Sequence, residues 1–212
     1  ISRLSSSGLV KLRDVEGYPS LFGLNMVEGN DGYLYTLQHA ASGYYGTLIR
    51  FKPDGSEFSS VRLPLNSVIT DSPLAATSQG VFGVSRGAGK NKGFIFKIKS
   101  DGSGIDIIYS FQENGSRPEC KLLEGRDGFL YGTTRIGGAH DYGVVFKVRS
   151  DGQDYTVLHY FDQTGGKHSR SGLVQDKAGY LYGTTEFGGV RGRGVLYKIR
   201  EDGQEFQKLL DF

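Results

Sequence analysis

Few residues in this chain are spaced for catalysis. The histidines are His39, His140, His159 and His168, and none lies in a two-histidine metal motif or beside a Gly-x-Ser-x-Gly elbow. His159 alternates with apolar neighbours, as a strand residue at the rim of a sheet would. The run from Gly83 to Lys90 is rich in glycine, but its spacing is wrong for a phosphate loop and Asn91 stands where Ser or Thr is needed. No helix N-terminus follows it to hold phosphate. Four Asp-Gly pairs lack the spaced oxygen ligands of a calcium loop, and Cys120 is the only thiol, so neither a metal site nor a cofactor is expected. Cys120 reads as a small buried apolar residue. One carboxylate pair, Asp141 with Glu186, could serve as the acid and base of a polysaccharide lyase or hydrolase if the two faced one space.

The elements that would position these groups are repeats. Asp54-Gly55, Asp101-Gly102, Asp151-Gly152 and Asp202-Gly203 recur at spacings of 47, 50 and 51 residues. Before each pair a glycine opens an alternating apolar stretch: Gly46 to Phe51, Gly93 to Ile98, Gly143 to Val148 and Gly194 to Ile199. Further upstream lie Gly32 to Tyr35, Gly80 to Gly83, Gly128 to Tyr131 and Gly179 to Tyr182. Short apolar pairs precede these, at Met26-Val27, Leu74-Ala75, Leu122-Leu123 and Leu173-Val174. A last set follows each Asp-Gly turn. Each unit of about fifty residues thus predicts four antiparallel strands, here a, b, c and d, which is the arithmetic of a β-propeller blade. The composition agrees: 33 Gly, 13 Tyr and 13 Phe suit tight turns and aromatic strands, and no apolar 3.6-residue period marks a helix.

The expected fold is all-β, a propeller-type array of four four-stranded antiparallel blades, part of a larger propeller. The chain reads as one repeat array over residues 1–212, with blades at about 19–64, 72–111, 118–161 and 171–212. Residues 8–13 resemble the d strand of a preceding blade. That surplus strand predicts an incomplete ring, completed by blades of a parent chain or by a second copy, with a closed four-bladed ring carrying an extra N-terminal strand as the alternative.

In such a blade the b–c and d–a connections share one face. There the sequence gathers Arg86, Lys90, Arg135, His140, Lys167, His168, Arg170, Arg191 and Arg193, while the opposite face carries mostly Asp and Glu. A net charge of +2 gives no reason to expect nucleic-acid binding, and no apolar run is long enough to span a membrane. The basic residues are read as a mouth for an anionic ligand, an acidic glycan or a protein surface, gripped by charge-assisted hydrogen bonds. Arg135, Lys167, Arg170, Arg191 and Arg193 are expected around one opening.

The stretch Gly128-Phe129-Leu130-Tyr131-Gly132-Thr133-Thr134, then Gly137-Gly138, then Gly143-Val144-Val145-Phe146-Lys147-Val148 and Asp151-Gly152, resembles the bacterial Gloeo/Verruco (GloVer) tandem repeat. Residues 179–203 match almost position for position. Residues 80–102 keep Gly93 to Ile98 but lose the Thr-Thr, and residues 32–55 keep little beyond strand register. The resemblance implies a propeller-like module of extracytoplasmic, secreted or cell-surface bacterial proteins with no established catalytic activity. A non-catalytic role in binding or spacing is therefore the expectation, with the acidic-glycan enzyme as its alternative.

Overall fold

The computed structural model describes residues 2–5, 8–11, 26–39, 46–63, 73–87 and 92–212. Among these there are strands and turns but no helix. An N-terminal hairpin pairs β1 (Ser2–Ser5) with β2 (Gly8–Lys11). Residues 12 and 13, and the expected start of the first blade before Met26, lie outside the described residues. Four sheets follow on one plan. The first is β3 (Met26–Glu28), β4 (Leu34–His39), β5 (Gly46–Phe51) and β6 (Ser59–Arg62); the second is β7 (Ala75–Thr77), β8 (Gly80–Ser85), β9 (Phe94–Ile98) and β10 (Ile105–Ser110). The third blade holds β11 (Ser116–Pro118), β12 (Leu123–Glu124), β13 (Leu130–Ile136), β14 (Val144–Val148) and β15 (Thr156–Tyr160), and the fourth β16 (Val174–Gln175), β17 (Tyr180–Thr184), β18 (Val195–Arg200) and β19 (Gln207–Asp211). All four are antiparallel meanders in chain order, the expected a–b–c–d.

One element was not foreseen. The third blade's a strand comes in two pieces, because β11 pairs with the Thr134–Ile136 end of β13 while β12 pairs with its Leu130–Tyr131 end. Cys120 sits in the gap, buried, where Thr133 N donates to its Sγ at 3.2 Å.

The Asp-Gly turns are wider than two-residue hairpins. Asp54, Asp101, Asp151 and Asp202 each accept, on Oδ1, the amide two residues on, at 2.8 to 3.0 Å. The following glycine has φ between 73 and 87° and closes back on the carbonyl three residues earlier. These carboxylates shape the turn.

Side chains alternate across each strand, so every blade has two unlike faces. Three apolar clusters fill the gaps between successive blades. In each of blades two to four an aromatic ring of the c strand (Phe96, Phe146, Tyr197) lies opposite a glycine of the b strand (Gly83, Gly132, Gly183). A methyl group on any of these glycines would run into the ring. The first blade solves the same position with Thr36 opposite Ile49, a smaller residue that leaves room for a side chain.

This pairing corrects the sequence register of the second blade. Aligning Gly80 with Gly32, Gly128 and Gly179 puts Gly83 level with Tyr35, Tyr131 and Tyr182. In the structure Phe82 holds that level, opposite Lys97 as Tyr131 is opposite Lys147. The reason is a shorter a–b turn: Ala75 to Phe82 spans seven residues, where Leu123 to Tyr131 spans eight.

The rings also lock neighbouring blades. The residue that closes each d strand donates its amide to the glycine opening the c strand, as in Phe111 to Gly93 and Phe161 to Gly143. Its side chain then meets the c-strand ring of the next blade: Phe111 on Phe146 and Phe161 on Tyr197, both at 5.3 Å between centroids and edge-on. A second contact repeats beside it, Tyr109 stacked on Tyr155 and His159 stacked on Phe206. Both d-strand residues reach the next blade because a β-bulge interrupts the c–d register in blades two to four.

A polar latch completes the contact near the c–d turns. Tyr131 Oη donates to Asp127 Oδ2 at 2.7 Å and lies 3.4 Å from the Glu201 carbonyl of the next blade, to which Lys147 Nζ donates at 3.2 Å. Tyr35 with Asp31, and Tyr182 with Asp176, repeat the tyrosine–carboxylate bond.

Truncating Phe146, which is fully buried, to Ala is expected to cost about 3–5 kcal/mol. Gly132→Ala alone should cost about 1–3 kcal/mol by overpacking. Combined with Phe146→Ile, which imitates the first blade, it should cost less than the sum of the two single changes; additive urea-denaturation energies would refute the ring-over-glycine coupling.

Candidate functional site

The b–c and d–a connections of the third and fourth blades meet at one end of their sheets. The two threonines that close each b strand build this end. Thr134 Oγ1 accepts from Val144 N at 3.1 Å and donates to Ile136 O at 3.0 Å, so it clips the neck of the b–c loop. Thr185 does the same with Val195 N and Phe187 O. In the second blade, where the Thr-Thr pair is missing, Ser85 keeps the hydroxyl and accepts from Gly87 N.

The d–a connection of the fourth blade is stitched onto this frame. Lys167 and Phe187 exchange backbone hydrogen bonds at 2.8 and 3.1 Å. His168, at φ 59°, donates its backbone amide to Tyr142 O, and its Nδ1 lies 2.8 Å from Arg135 O. A carbonyl can only accept, so Nδ1 is the donor in this bond. Ser169 and Ser171 both donate to Thr184 O. Beside them Arg170, Ser171, Thr184, Thr185 and Glu186 line an open cavity of about 450 Å³.

These bonds bring Lys167, His168 and Arg170 of the d–a connection beside Arg135; of the four, Arg170 lines the cavity, while Lys167 Nζ donates to Gln163 Oε1 at 3.0 Å. The structure also supplies counter-charges. Arg170 Nε lies 2.5 Å from Glu119 Oε2. Arg135 Nε stands 3.7 Å from Glu186 Oε2, too far for a hydrogen bond, so a buried donor remains unshared. Glu119 was missed in the sequence; its only mark there is a charge directly ahead of the apolar Cys120 region.

Arg191 is exposed beside Asp211, on the outer strand β19, because Asp211 Oδ1 anchors the loop at Val190 N. The expectation of one opening thus does not extend to Arg191. Arg193 and His140 are exposed, Arg86 is half-buried, and Lys90 lies outside the described residues. The carboxylates proposed as an acid/base pair have separate duties: Asp141 Oδ1 accepts from Gly137 N at 2.8 Å within its own loop, while Glu186 faces Arg135. Among the described residues no group of His, Cys, Asp and Glu is arranged to hold a metal ion.

His159 is not a rim residue. The bulge turns it into the gap between blades three and four, where its ring stacks on Phe206 at 3.6 Å. Burial pulls its pKa down to about 4, against a small opposing pull from Asp162, and Nε2 has no partner.

Four sheets of four meandering strands, packed face to face in series, define a propeller-type protein. The chain belongs to the Gloeobacter/Verrucomicrobia repeat family, which matches it over residues 22–212. Solved propeller-like structures share the fold at low identity. A protein from Bacteroides uniformis described as a putative 6-phosphogluconolactonase superposes with a TM-score of 0.58 at 15% identity, over 95% of this chain and 59% of its own. TolB from Acinetobacter baumannii gives 0.55 at 16%, over 97% and 46%. The Penicillium chrysogenum alpha-L-arabinanase complexed with arabinobiose gives 0.53 at 12%, over 88% and 65%. The chain thus spans about half to two thirds of these structures. No curated protein matches its sequence. No helix among the described residues is long and apolar enough to cross a membrane.

Because His159 is neutral when folded and has a pKa near 6.5 when unfolded, the unfolded chain binds the extra proton between those values. Stability is complete above about pH 6.5 and falls as pH drops toward 4, by up to about 3 kcal/mol from this residue. The urea midpoint of His159→Phe should fall less than that of the natural chain between pH 7 and pH 4.5. Equal falls would show that His159 does not titrate with unfolding.

Proposed function

We propose that this chain is a non-catalytic, extracytoplasmic binding module, a part of a larger bacterial surface or secreted protein, whose mouth at the third and fourth blades takes an acidic glycan. The observation that carries this reading is the mouth itself: Arg170, Ser171, Thr184, Thr185 and Glu186 line an open cavity whose cation is Arg170. The Arg170 guanidinium on this wall suits the carboxylates or sulfates of such a polymer. The extracytoplasmic setting rests on the family resemblance.

The lyase or hydrolase reading needs Asp141 and Glu186 free to share a proton-transfer task. The loop bond of Asp141 and the pairing of Glu186 with Arg135 speak against it.

Affinity electrophoresis in gels holding a uronate-rich or sulfated polysaccharide tests the proposal. Retardation is expected at low salt and should fade as the Debye length shrinks from about 30 Å at 0.01 M toward about 8 Å at 0.15 M. Lys167→Ala with Arg170→Ala should weaken retardation about tenfold or more. Arg191→Ala, beside Asp211 and away from the mouth, should leave it unchanged. Retention that ignores both variants, or no retention on any acidic polymer, would rule the mouth out as the site.

A further inference from the structure

A second cavity, of about 680 Å³, lies at the opposite end of the blades from the mouth, where the a–b and c–d turns of the second blade stand beside the a–b turn of the first. Gly80, Lys97 and Lys99 line it from the second blade, and Asp31 from the first. The other three blades show what belongs at Gly80. At the start of each of their b strands an aromatic ring lies under two cations of the c strand. Tyr33 sits under Arg50 and Lys52 at 3.6 and 3.8 Å, Phe129 under Lys147 and Arg149 at 4.7 and 5.6 Å, and Tyr180 under Lys198 and Arg200 at 4.6 and 5.6 Å. A carboxylate accompanies each set, three residues after the turn aspartate. Glu57 and Glu205 accept the hydroxyls of Tyr33 and Tyr180, while Asp154 lies 3.1 Å from Arg149.

The second blade keeps the two cations, Lys97 and Lys99, and lacks both of their partners. With Phe82 level with Tyr131, the ring position falls on Gly80, and the carboxylate position falls on Gly104. Lys97 lies across the bare glycine, since a methyl group on Gly80 would come within 3.0 Å of its Cε. One on Gly104 would meet nothing within 4 Å, so that place is open. The acids of the lining are already engaged. Asp31 accepts from Tyr35 and faces Arg50, Asp101 accepts the Ser103 amide, and Asp106 lies 3.5 Å from Lys99. Half-buried Lys97, 5.4 Å from the Phe82 ring, has no hydrogen bond or ion pair among the described residues.

We propose that this cavity binds a small aromatic carboxylate, whose ring takes the place left by Gly80 and whose acid group takes the place left by Gly104. The ring meets the ammonium groups of Lys97 and Lys99 as Tyr33, Phe129 and Tyr180 meet theirs, and the acid supplies the anion that Lys97 lacks. Both parts are needed. An uncharged ring leaves Lys97 unmatched, and an acid without a ring leaves the space over Gly80 unfilled. Because Lys99 already holds Asp106, one cation is left for the ligand, so a monoanion suits the site better than a dianion. The cavity volume lies within the range of small-molecule sites.

Titrating the full chain with sodium benzoate, followed by the NMR shifts of its backbone amides, tests the proposal. Saturable shifts are expected at Gly80, Lys97 and Lys99, with a Kd of about 1 mM or tighter, as for a fragment-sized ligand. Acetate has the acid without the ring and benzyl alcohol the ring without the acid; each should bind about tenfold more weakly. Lys97→Gln should weaken benzoate binding by about tenfold. Gly104→Glu returns the missing acid to the chain, at a position where Glu57 and Glu205 adopt φ of 48 and 53°, and should displace the ligand to a similar extent. The same spectra report whether each variant is folded. Arg170→Ala, at the mouth, should leave benzoate binding unchanged. The absence of a saturable shift at these amides up to about 10 mM, equal affinity for acetate, or undiminished binding to Lys97→Gln would overturn the proposal. So would shifts confined to the mouth and lost with Arg170→Ala, since the acid would then be held there.

Discussion

An aromatic ring laid across a glycine is the contact on which this protein depends. Within a blade it draws the b and c strands into one flat layer, since Gly132 has no side chain to hold Phe146 away. Between blades the same ring receives the final apolar residue of the preceding d strand. Intrablade packing and interblade packing thus share one side chain. A blade removed from its neighbours would leave a large ring on one face and a bulged apolar strand on the other, so stability resides in neighbouring pairs, as in other quasi-one-dimensional arrays.

The polar residues divide by task. Thr134, Thr185 and Ser85 spend their hydroxyls on the necks of the b–c loops, and the Asp-Gly carboxylates spend theirs on turn amides. What the sequence resemblance carries most strongly is therefore building material. Residues that differ from blade to blade, such as Arg135, His168 and Arg170, are the ones left to give a particular mouth its chemistry. Even there the cations are matched by Glu186 and Glu119, so the local field is gentler than a count of basic residues suggests.

Strand order, pairing and the place of every blade's c strand were legible in the sequence, because period-two alternation and a turn glycine are local properties. The errors came where the answer depends on a partner strand. Gly80 and Gly83 look alike on paper, and only the ring of Phe96 distinguishes the one that must lack a side chain. His159 alternates like a rim residue, but the bulge at Leu158 rotates it inward. The mouth was half legible: loop residues could be assigned to an end of the sheet, but Asp211 drawing the Val190 loop outward, and Glu119 reaching Arg170, are long-range contacts without a local pattern.

The bulge has a consequence beyond packing. Strands β10, β15 and β19 are the outer edges of their sheets, each with one row of backbone groups that no neighbouring strand takes up. Straight edges of that kind invite pairing with edges of other molecules. Here the extra residue bends each of the three strands out of register. The kink that turns an additional side chain toward the next blade also spoils the edge as a template, so the device that joins one blade to the next discourages sheets of different molecules from joining at their rims.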